Sequence, residues 1–436
     1  MSAGNQNLLF RLMLYITLSH LRRIPSCTAF QTSFQPTRQS VSRLFASASE
    51  GTRFTTMTTA NKSEKVKAKL VSVDSLEECG ERLRQGGLVA FPTETVYGLG
   101  CNALDQDAIM KVFKAKERPL TDPLITHVTK HSDAYELWNA EESSIEGKAL
   151  RQLCDKFWPG PFTLVAKAAP HVPQTLMANT GFVACRAPQH PISIALIDAA
   201  KVPIAAPSAN KFGHVSPTRA SHVWDDLHAE DVWIIDTTES DSEVCAVGVE
   251  SSVVKMELSE NSEKGTITLL RQGAVSASAI QGCLEEAGIA DNFDVISRTK
   301  KAVDETVAEV APGQNIRHYS PNIVSRIISQ SCYTSNKDPT HEEVEVLSKT
   351  VLIDFGGKLS SWEKHAIAYR DLSKSENSAE ATKSVFDILR WAEQVDDATQ
   401  ILFPEIPDGP SVDALTLALK DRLTRAASGV VISRIN

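Results

Sequence analysis

The sequence predicts an α/β fold in two unequal units, on three observations. Short apolar runs bounded by Gly, Pro, Asn and Asp alternate with longer stretches of helical periodicity. The alternation breaks over the polar, charged stretch 290–315, which carries Pro312-Gly313 near its end and reads as a linker. It then resumes in a smaller unit. At 436 residues, with 42% hydrophobic and 23% charged, the chain has the composition of globular material.

Taken from the N-terminus, residues 1–56 do not read as fold. They carry Arg11, Arg22, Arg23, Arg38, Arg43 and Arg53, many Ser and Thr, and one acid, Glu50. That is the composition of an organelle transit peptide, addressed to mitochondrion or plastid. A secretory signal fits less well, because the apolar stretch Leu12–Leu21 runs into Arg22 and Arg23. A disordered tail with no address is the alternative. Met57 offers a second start and hence a cytoplasmic form.

In the first unit, Asp74-Ser-Leu-Glu77 predicts a helix cap, and Gly86-Gly87 stops that helix. Leu88–Phe91 is a short strand, and Pro92–Gly100 reads as a hydroxyl-rich turn. A helix fits Asp107–Lys116. Strands fit Leu124–Val128, Phe162–Lys167, Val183–Arg186, Val202–Ala205, Val232–Asp236, Glu250–Met256 and Thr266–Leu270. Helices fit Ile192–Ala200 and Ser276–Ala287. In the second unit, Val351–Phe355 and Gln400–Phe403 read as strands, and Ala379–Glu393 and Val412–Ala427 as helices.

Several function classes are excluded or weakened. No uncharged apolar run reaches the ~18 residues of a membrane-spanning helix. The net charge is −9, but residues 1–70 contribute +8, so the remainder carries −17. An acidic body is a poor footprint for general duplex nucleic-acid binding. The eight cysteines include no C-x-x-C pair, which argues against zinc ribbons and redox motifs. The histidines show no H-E-x-x-H pattern, so no metal site is predicted. There is no Walker A sequence, Rossmann glycine fingerprint or G-x-S-x-G elbow.

Candidate chemistry sits at strand ends and in turns, where sites are usually built. Phe91–Gly100 offers hydroxyls, Glu94, and two glycines, Gly98 and Gly100, that permit close backbone approach to a ligand. It could equally be an ordinary connection. Lys116 and Arg118, at a helix end, could meet phosphate oxygens or simply compensate the helix dipole. Ser208 and Asn210 in Ala206–Asn210, with Ser216-Pro217-Thr218 beyond, could hold a nucleotide or satisfy their own turn. Gly248–Ser252 and Leu270-Arg271-Gln272-Gly273 each set polar residues beside an apolar strand. Arg186 closes one such strand and needs a charged partner or water. His127 ends another and could face a site or the core.

In this order the clusters resemble one family. The chain is similar to threonylcarbamoyl-adenylate synthases of the YrdC type, in the long form with a C-terminal extension. The resemblance runs from about Leu70 to Gly288. It rests on Phe91–Gly100, Lys116-x-Arg118, Pro123-Leu124-Ile125, Trp158–Thr163, Ser208-x-Asn210, Gly248–Ser252 and Leu270–Gly273. Ala311-Pro312-Gly313 with Arg317–Pro321 resembles the family's linker, and Asp421–Ala427 the end of its accessory domain. The implied organisation is a leader at 1–56, a YrdC-like domain at 66–290, a linker at 291–322 and an accessory domain at 323–436.

The resemblance implies a twisted mixed sheet around a concave, positive cavity, plus a smaller Rossmann-like domain. It implies an enzyme, a nucleotidyltransferase that makes threonylcarbamoyl-AMP and pyrophosphate from L-threonine, bicarbonate or CO₂, and ATP. A Kae/TsaD-type transferase then carries the group to tRNA. By this resemblance Lys116 and Arg118 are catalytic and bind ATP with Ser208, Asn210, Ser216, Arg271 and Tyr319. Thr93, His127, Arg186 and Ser251 hold threonine, with Arg186 on its carboxylate. Mg²⁺ accompanies the nucleotide. Arg317-His318-Tyr319 is placed as a lid. Two departures stand out: Ser252 replaces a usual Thr, and the loop 236–247 is longer than usual. Carbamoyl transfer in hydrogenase maturation uses a similar domain, but with paired C-x-x-C fingers that this chain lacks. A non-catalytic RNA- or nucleotide-binding module of the same fold is the remaining alternative.

Overall fold

A computed structural model describes residues 66–237, 245–259, 264–298, 308–311, 318–334, 338–409 and 411–435. The leader, Met57, Arg317 and parts of the expected linker, 299–307 and 312–316, lie outside the described residues. Among the described residues the first unit has eleven strands: β1 (Lys69–Ser72), β2 (Leu88–Phe91), β3 (Gly98–Asn102), β4 (Ile125–His127), β5 (Phe162–Lys167), β6 (Phe182–Arg186), β7 (Ile204–Ala205), β8 (Val232–Asp236), β9 (Ser252–Leu258), β10 (Gly265–Arg271) and β11 (Phe293–Ser297). They form one mixed sheet in the order β1-β8-β2-β3-β7-β4-β6-β5-β9-β10-β11. The second unit is a parallel sheet of β12 (Val324–Ile328), β13 (Thr350–Asp354), β14 (Ala368–Asp371), β15 (Gln400–Pro404) and β16 (Val431–Ile432), ordered β14-β13-β15-β12-β16. Both sheets match the expected fold class, and the described residues belong to one compact unit.

Local chemistry accounts for the elements. Strand β5 is apolar because neighbours flank it on both sides: β6 runs antiparallel and β9 parallel, and all but its last residue are buried. The helix Gln106–Lys116 is capped by Asp105, whose carboxylate accepts from the amides of Asp107 and Ala108. In the second unit, Asn377 and Asp413 cap the helices Ser378–Ala392 and Ala414–Ala426 in the same way.

The structure corrects four expectations. Asp74 does not cap the first helix. Ser72 accepts from the Asp74 amide to cap a 3₁₀ turn, Val73–Ser75, and the helix follows at Leu76. The segment Pro92–Gly100 is not all turn, because Gly98–Asn102 forms β3, antiparallel to β2. The stretch from 291 does not begin as linker, because Phe293–Ser297 extends the first sheet, parallel to β10. The helices Ile145–Phe157, Ala220–Leu227 and His341–Leu347 were not expected from the sequence.

The two units meet through a shared apolar cluster. Val96, Val215, Val249 and Tyr319 pack with Phe386, Leu389, Leu419 and Leu423 of the second unit's helices. Val310 and Ala311, from the connecting segment, lie against Ile125, Val165, Ala184 and Val253 of the first sheet. The connection therefore returns across the sheet rather than leaving it.

Candidate active site

A small cavity of about 50 Å³ opens among β3, β4, β6, β7 and the connecting segment. It is lined by Thr93, Thr95, Val96, Gly98, Arg118, Ile125, His127, Arg186, Ala206, Pro207, Ser208, Glu250, Arg271, His318 and Tyr319. The sequence-predicted residues Thr93, Arg118, His127, Arg186, Ser208, Arg271 and Tyr319 are thus together in its wall. Lys116, Asn210, Ser216 and Ser251 stand behind that wall, each buried and hydrogen-bonded.

The Lys116-x-Arg118 geometry follows from how its helix ends. Glu117 takes a left-handed conformation at φ 56°, and the Arg118 amide donates to the Phe113 carbonyl at 2.9 Å. This turn leaves Glu117 exposed and buries both cations. The Lys116 ammonium donates to the Ser208 carbonyl at 2.6 Å and to the Asn210 carbonyl. Burial, then the Arg118 charge, pushes its pKa well below the usual lysine range. Lys116 therefore holds the Ser208-x-Asn210 turn. The Phe212 amide bonds the Lys116 carbonyl at 2.8 Å and completes the tie. Arg118 donates to the carbonyls of Asp122 and Pro123 and pairs with the Asp122 carboxylate at 2.9 Å.

The turn Ala206–Asn210 zips onto β3. The Leu99 amide donates to Pro207, and the Ala209 amide to Tyr97, each at 2.8 Å. The two β3 glycines divide the work expected of both. Gly98 lines the cavity, but a Cβ at Gly100 would sit 2.9 Å from Ile204 and Phe91. Gly100 is required by packing, not by a ligand. The Asn210 amide nitrogen donates to the carbonyls of Lys211 and His214, leaving its buried Oδ1 without a hydrogen bond.

On the other side, Arg186 already has the charged partner its position demands. Its Nη2 meets Glu94 Oε1 at 2.6 Å, Nη1 donates to Thr95 at 3.0 Å, and Nε donates to the Gly160 carbonyl at 3.2 Å. Burial works to raise the Glu94 pKa, but the Arg186 charge and hydrogen bond hold it below the usual carboxylate range. A guanidinium has five N–H donors, so part of Arg186 stays available to the cavity. The Thr93 hydroxyl is committed to its own turn. It donates to the Val96 carbonyl at 2.7 Å and accepts from the amides of Thr95 and Val96. His127 is kept neutral. Burial, then Arg186, lowers its pKa to about 3, and its Nδ1 makes no hydrogen bond.

Ser251 is fully buried, with its hydroxyl 2.7 Å from Thr163 Oγ1. Arg271 donates to the Ser251 carbonyl and hydroxyl, each at 3.0 Å. Ser216 donates to Glu250 Oε1 at 2.6 Å. His318 and Tyr319 close the cavity from the connecting segment. Tyr319 sits at φ 60° with a buried hydroxyl that has no partner, against Phe386 at 5.3 Å between ring centroids. Burial pushes its pKa up to about 12. The lid expected at 317–319 is therefore in contact with the site at His318 and Tyr319.

Sequence reasoning did not single out Glu250 as a wall residue, Glu94 as the partner of Arg186, or Asp122. Asp122, four residues after Arg118, carried a spacing signal. Glu94 and Arg186 are far apart in the chain and carried none.

The chain is similar to several known proteins. Residues 81–273 match a family model named for Sua5, YciO and YrdC and described as "Telomere recombination". Residues 275–428 match "Threonylcarbamoyl-AMP synthase, C-terminal domain". The threonylcarbamoyl-AMP synthase of Bacillus subtilis is 32% identical over 359 residues, 80% of this chain and 92% of that protein. Those of Pyrococcus abyssi and Schizosaccharomyces pombe are 39% and 38% identical, over 55% and 53% of this chain. The matches span 64% and 58% of those two proteins. A crystal structure of Pyrococcus abyssi Sua5 complexed with L-threonine superposes with a TM-score of 0.67 at 28% identity. It covers 84% of this chain and 99% of that one.

Proposed function

We infer the activity from family membership: the chain belongs to the Sua5 family of threonylcarbamoyl-AMP synthases, in its two-domain long form. We propose that it joins L-threonine, bicarbonate or CO₂, and ATP into threonylcarbamoyl-AMP, with release of pyrophosphate. The observation that carries this reading is the convergence of three buried arginines, Arg118, Arg186 and Arg271, on one cavity that also holds a neutral His127.

The threonine amine adds to CO₂ and loses a proton, giving a carbamate. A carbamate oxygen then bonds the α-phosphorus as the bond to the departing pyrophosphate breaks. Negative charge gathers on the phosphates, and preorganised cations in a water-poor site stabilise it most. We assign that task to Arg118 and Arg271, both in the cavity wall. Arg186 meets the threonine carboxylate with the donors that Glu94 leaves free. The unpartnered His127 Nδ1 is an acceptor for the threonine amine, and the spare Tyr319 hydroxyl and Asn210 Oδ1 suit the nucleotide. Lys116 acts by holding the Ser208-x-Asn210 turn. The mixed anhydride hydrolyses readily, so enclosure by His318 and Tyr319 protects it.

Mg²⁺ held by the ATP phosphates would supply charge neutralisation there. Among the described residues no group of three or more His, Cys, Asp or Glu could hold a metal. A Kae/TsaD-type transferase takes the product to tRNA.

The test is pyrophosphate release by the full chain with ATP, Mg²⁺ and bicarbonate, comparing L-threonine with L-serine. Release that requires L-threonine, and falls at least ~100-fold in Lys116→Ala, is expected. Folded chain that binds ATP but releases no pyrophosphate with threonine would leave the nucleotide-binding module as the reading.

A further inference from the structure

We propose that Arg422, in the last helix of the C-terminal domain, is a positioning residue for the nucleotide side of the cavity. Its side chain is fully buried. Its Nε donates to Glu250 Oε2 at 2.9 Å and its Nη2 to the Glu250 carbonyl at 3.3 Å. Its Nη1 donates to the Gln272 carbonyl and to Asp421 Oδ2, each at 2.8 Å. Its guanidinium carbon lies 5.3 Å from the Tyr319 ring centroid.

These contacts have one thing in common. Glu250 precedes Ser251, and Gln272 follows Arg271. One guanidinium from the second domain therefore ties the two segments that carry Ser251 and Arg271, and backs the Tyr319 ring. The fork geometry suits arginine and not lysine, since several donors must act in fixed directions.

The same contact settles a competition of charges. Glu250 lines the cavity beside Arg271, where phosphate would bind. A carboxylate there repels phosphate and competes with it for Arg271. Arg422 takes Glu250 Oε2, and Ser216 takes Oε1, so both oxygens are engaged. Without Arg422, the buried Glu250 charge needs another partner. Arg271 is in the same wall, and an ion pair between them would remove a phosphate-binding cation.

The proposal rests on reading the cavity as the adenylating site. The full chain and Arg422→Gln are assayed for pyrophosphate release, with KM measured separately for ATP and threonine. ATP affinity is also measured directly by calorimetry. We expect the ATP KM and Kd to rise about tenfold or more in Arg422→Gln, and the threonine KM to rise by less. Adding Glu250→Gln to that variant removes the unpaired charge and returns ATP affinity to within about threefold. A merely structural role lowers the active fraction and moves neither KM. Unchanged ATP affinity in folded Arg422→Gln, or a double variant no better than the single, overturns the proposal. If Arg422→Gln does not fold, Arg422→Lys carries the test: it keeps the charge but not the fork, and unchanged ATP affinity there overturns it. If the unmodified chain binds ATP without releasing pyrophosphate, the reaction fails, while the calorimetric comparison still decides the role of Arg422.

Discussion

Replacing Arg186 by methionine separates the two roles of that arginine. Its pair with Glu94 is almost wholly buried, with side-chain exposures of 5% and 7%. Removing one partner of such a pair costs about 3–5 kcal/mol, because the other charge is left in a low-dielectric interior. At ~2–4 °C per kcal/mol for a unit of this size, the unfolding midpoint falls by roughly 6–20 °C. The pH dependence gives the sign. In the native chain the Glu94 pKa is held below its ordinary value. Its stabilising contribution is present above the unfolded pKa and is lost as pH falls through the folded one. In Arg186→Met, burial is opposed only by backbone hydrogen bonds, and the Glu94 pKa rises. That variant therefore recovers relative to the native chain on acidification. Glu94→Gln/Arg186→Met removes both charges and regains stability to within about 1–2 kcal/mol of the native chain. Urea titrations across pH 4–8 read all three chains. The threonine KM rises by roughly 10–100-fold in both variants, since a charge-assisted bond is worth about 1.5–3 kcal/mol. Equal stability of the single and double variants, or an unchanged threonine KM, would refute the reasoning.

Three further outcomes are expected. Gly248 sits at φ 76°, where a Cβ would lie 2.2 Å from the Thr382 carbonyl and 2.3 Å from Lys383 Cα in the second unit. Gly248→Ala should cost about 2–4 kcal/mol in urea unfolding and weaken ATP binding through the neighbouring Glu250; a cost under about 0.5 kcal/mol would contradict the close approach. His214 bridges Asp226 and Glu393 across the interface of the two units, at 2.9 and 3.0 Å. Burial works against its cation, but the hydrogen bonds it donates to both carboxylates raise its pKa to about 9. Its contribution is fully present below the unfolded pKa and is lost as pH rises through about 9, so His214→Gln should flatten the loss of stability between pH 7 and 10. We also propose that residues 1–56 address the full-length chain to mitochondrion or plastid. A fluorescent fusion of the full chain should enter the organelle while a Met57-start fusion remains in the cytosol, and identical distributions would count against the leader.

The fold was most legible where central strands are unbroken apolar runs, which β3 (Gly98-Leu-Gly-Cys-Asn102) and β12 are not. Strands β5, β13 and β15 have neighbours on both edges and appear in the sequence as apolar runs. Strands β1, β11, β14 and β16 lie at sheet edges, keep exposed residues, and were missed or read as linker. The difference is physical: an edge strand solvates one side, so its composition approaches that of a loop.

The sequence by itself determined the α/β class, the two units, most of the central strands (though not β3 or β12) and the residue types gathered at their ends. Those are local properties, set by hydrophobic periodicity and turn chemistry. Only the tertiary structure decided which side chains face the cavity and which support it. Lys116 turned inward to carbonyls, Thr93 to its own turn, and Arg186 to Glu94. Tertiary structure also brought Arg422 to Glu250 from the far end of the chain. Buried charges must find partners wherever the fold places them, and that pairing is long-range. Periodicity along the chain does not encode it.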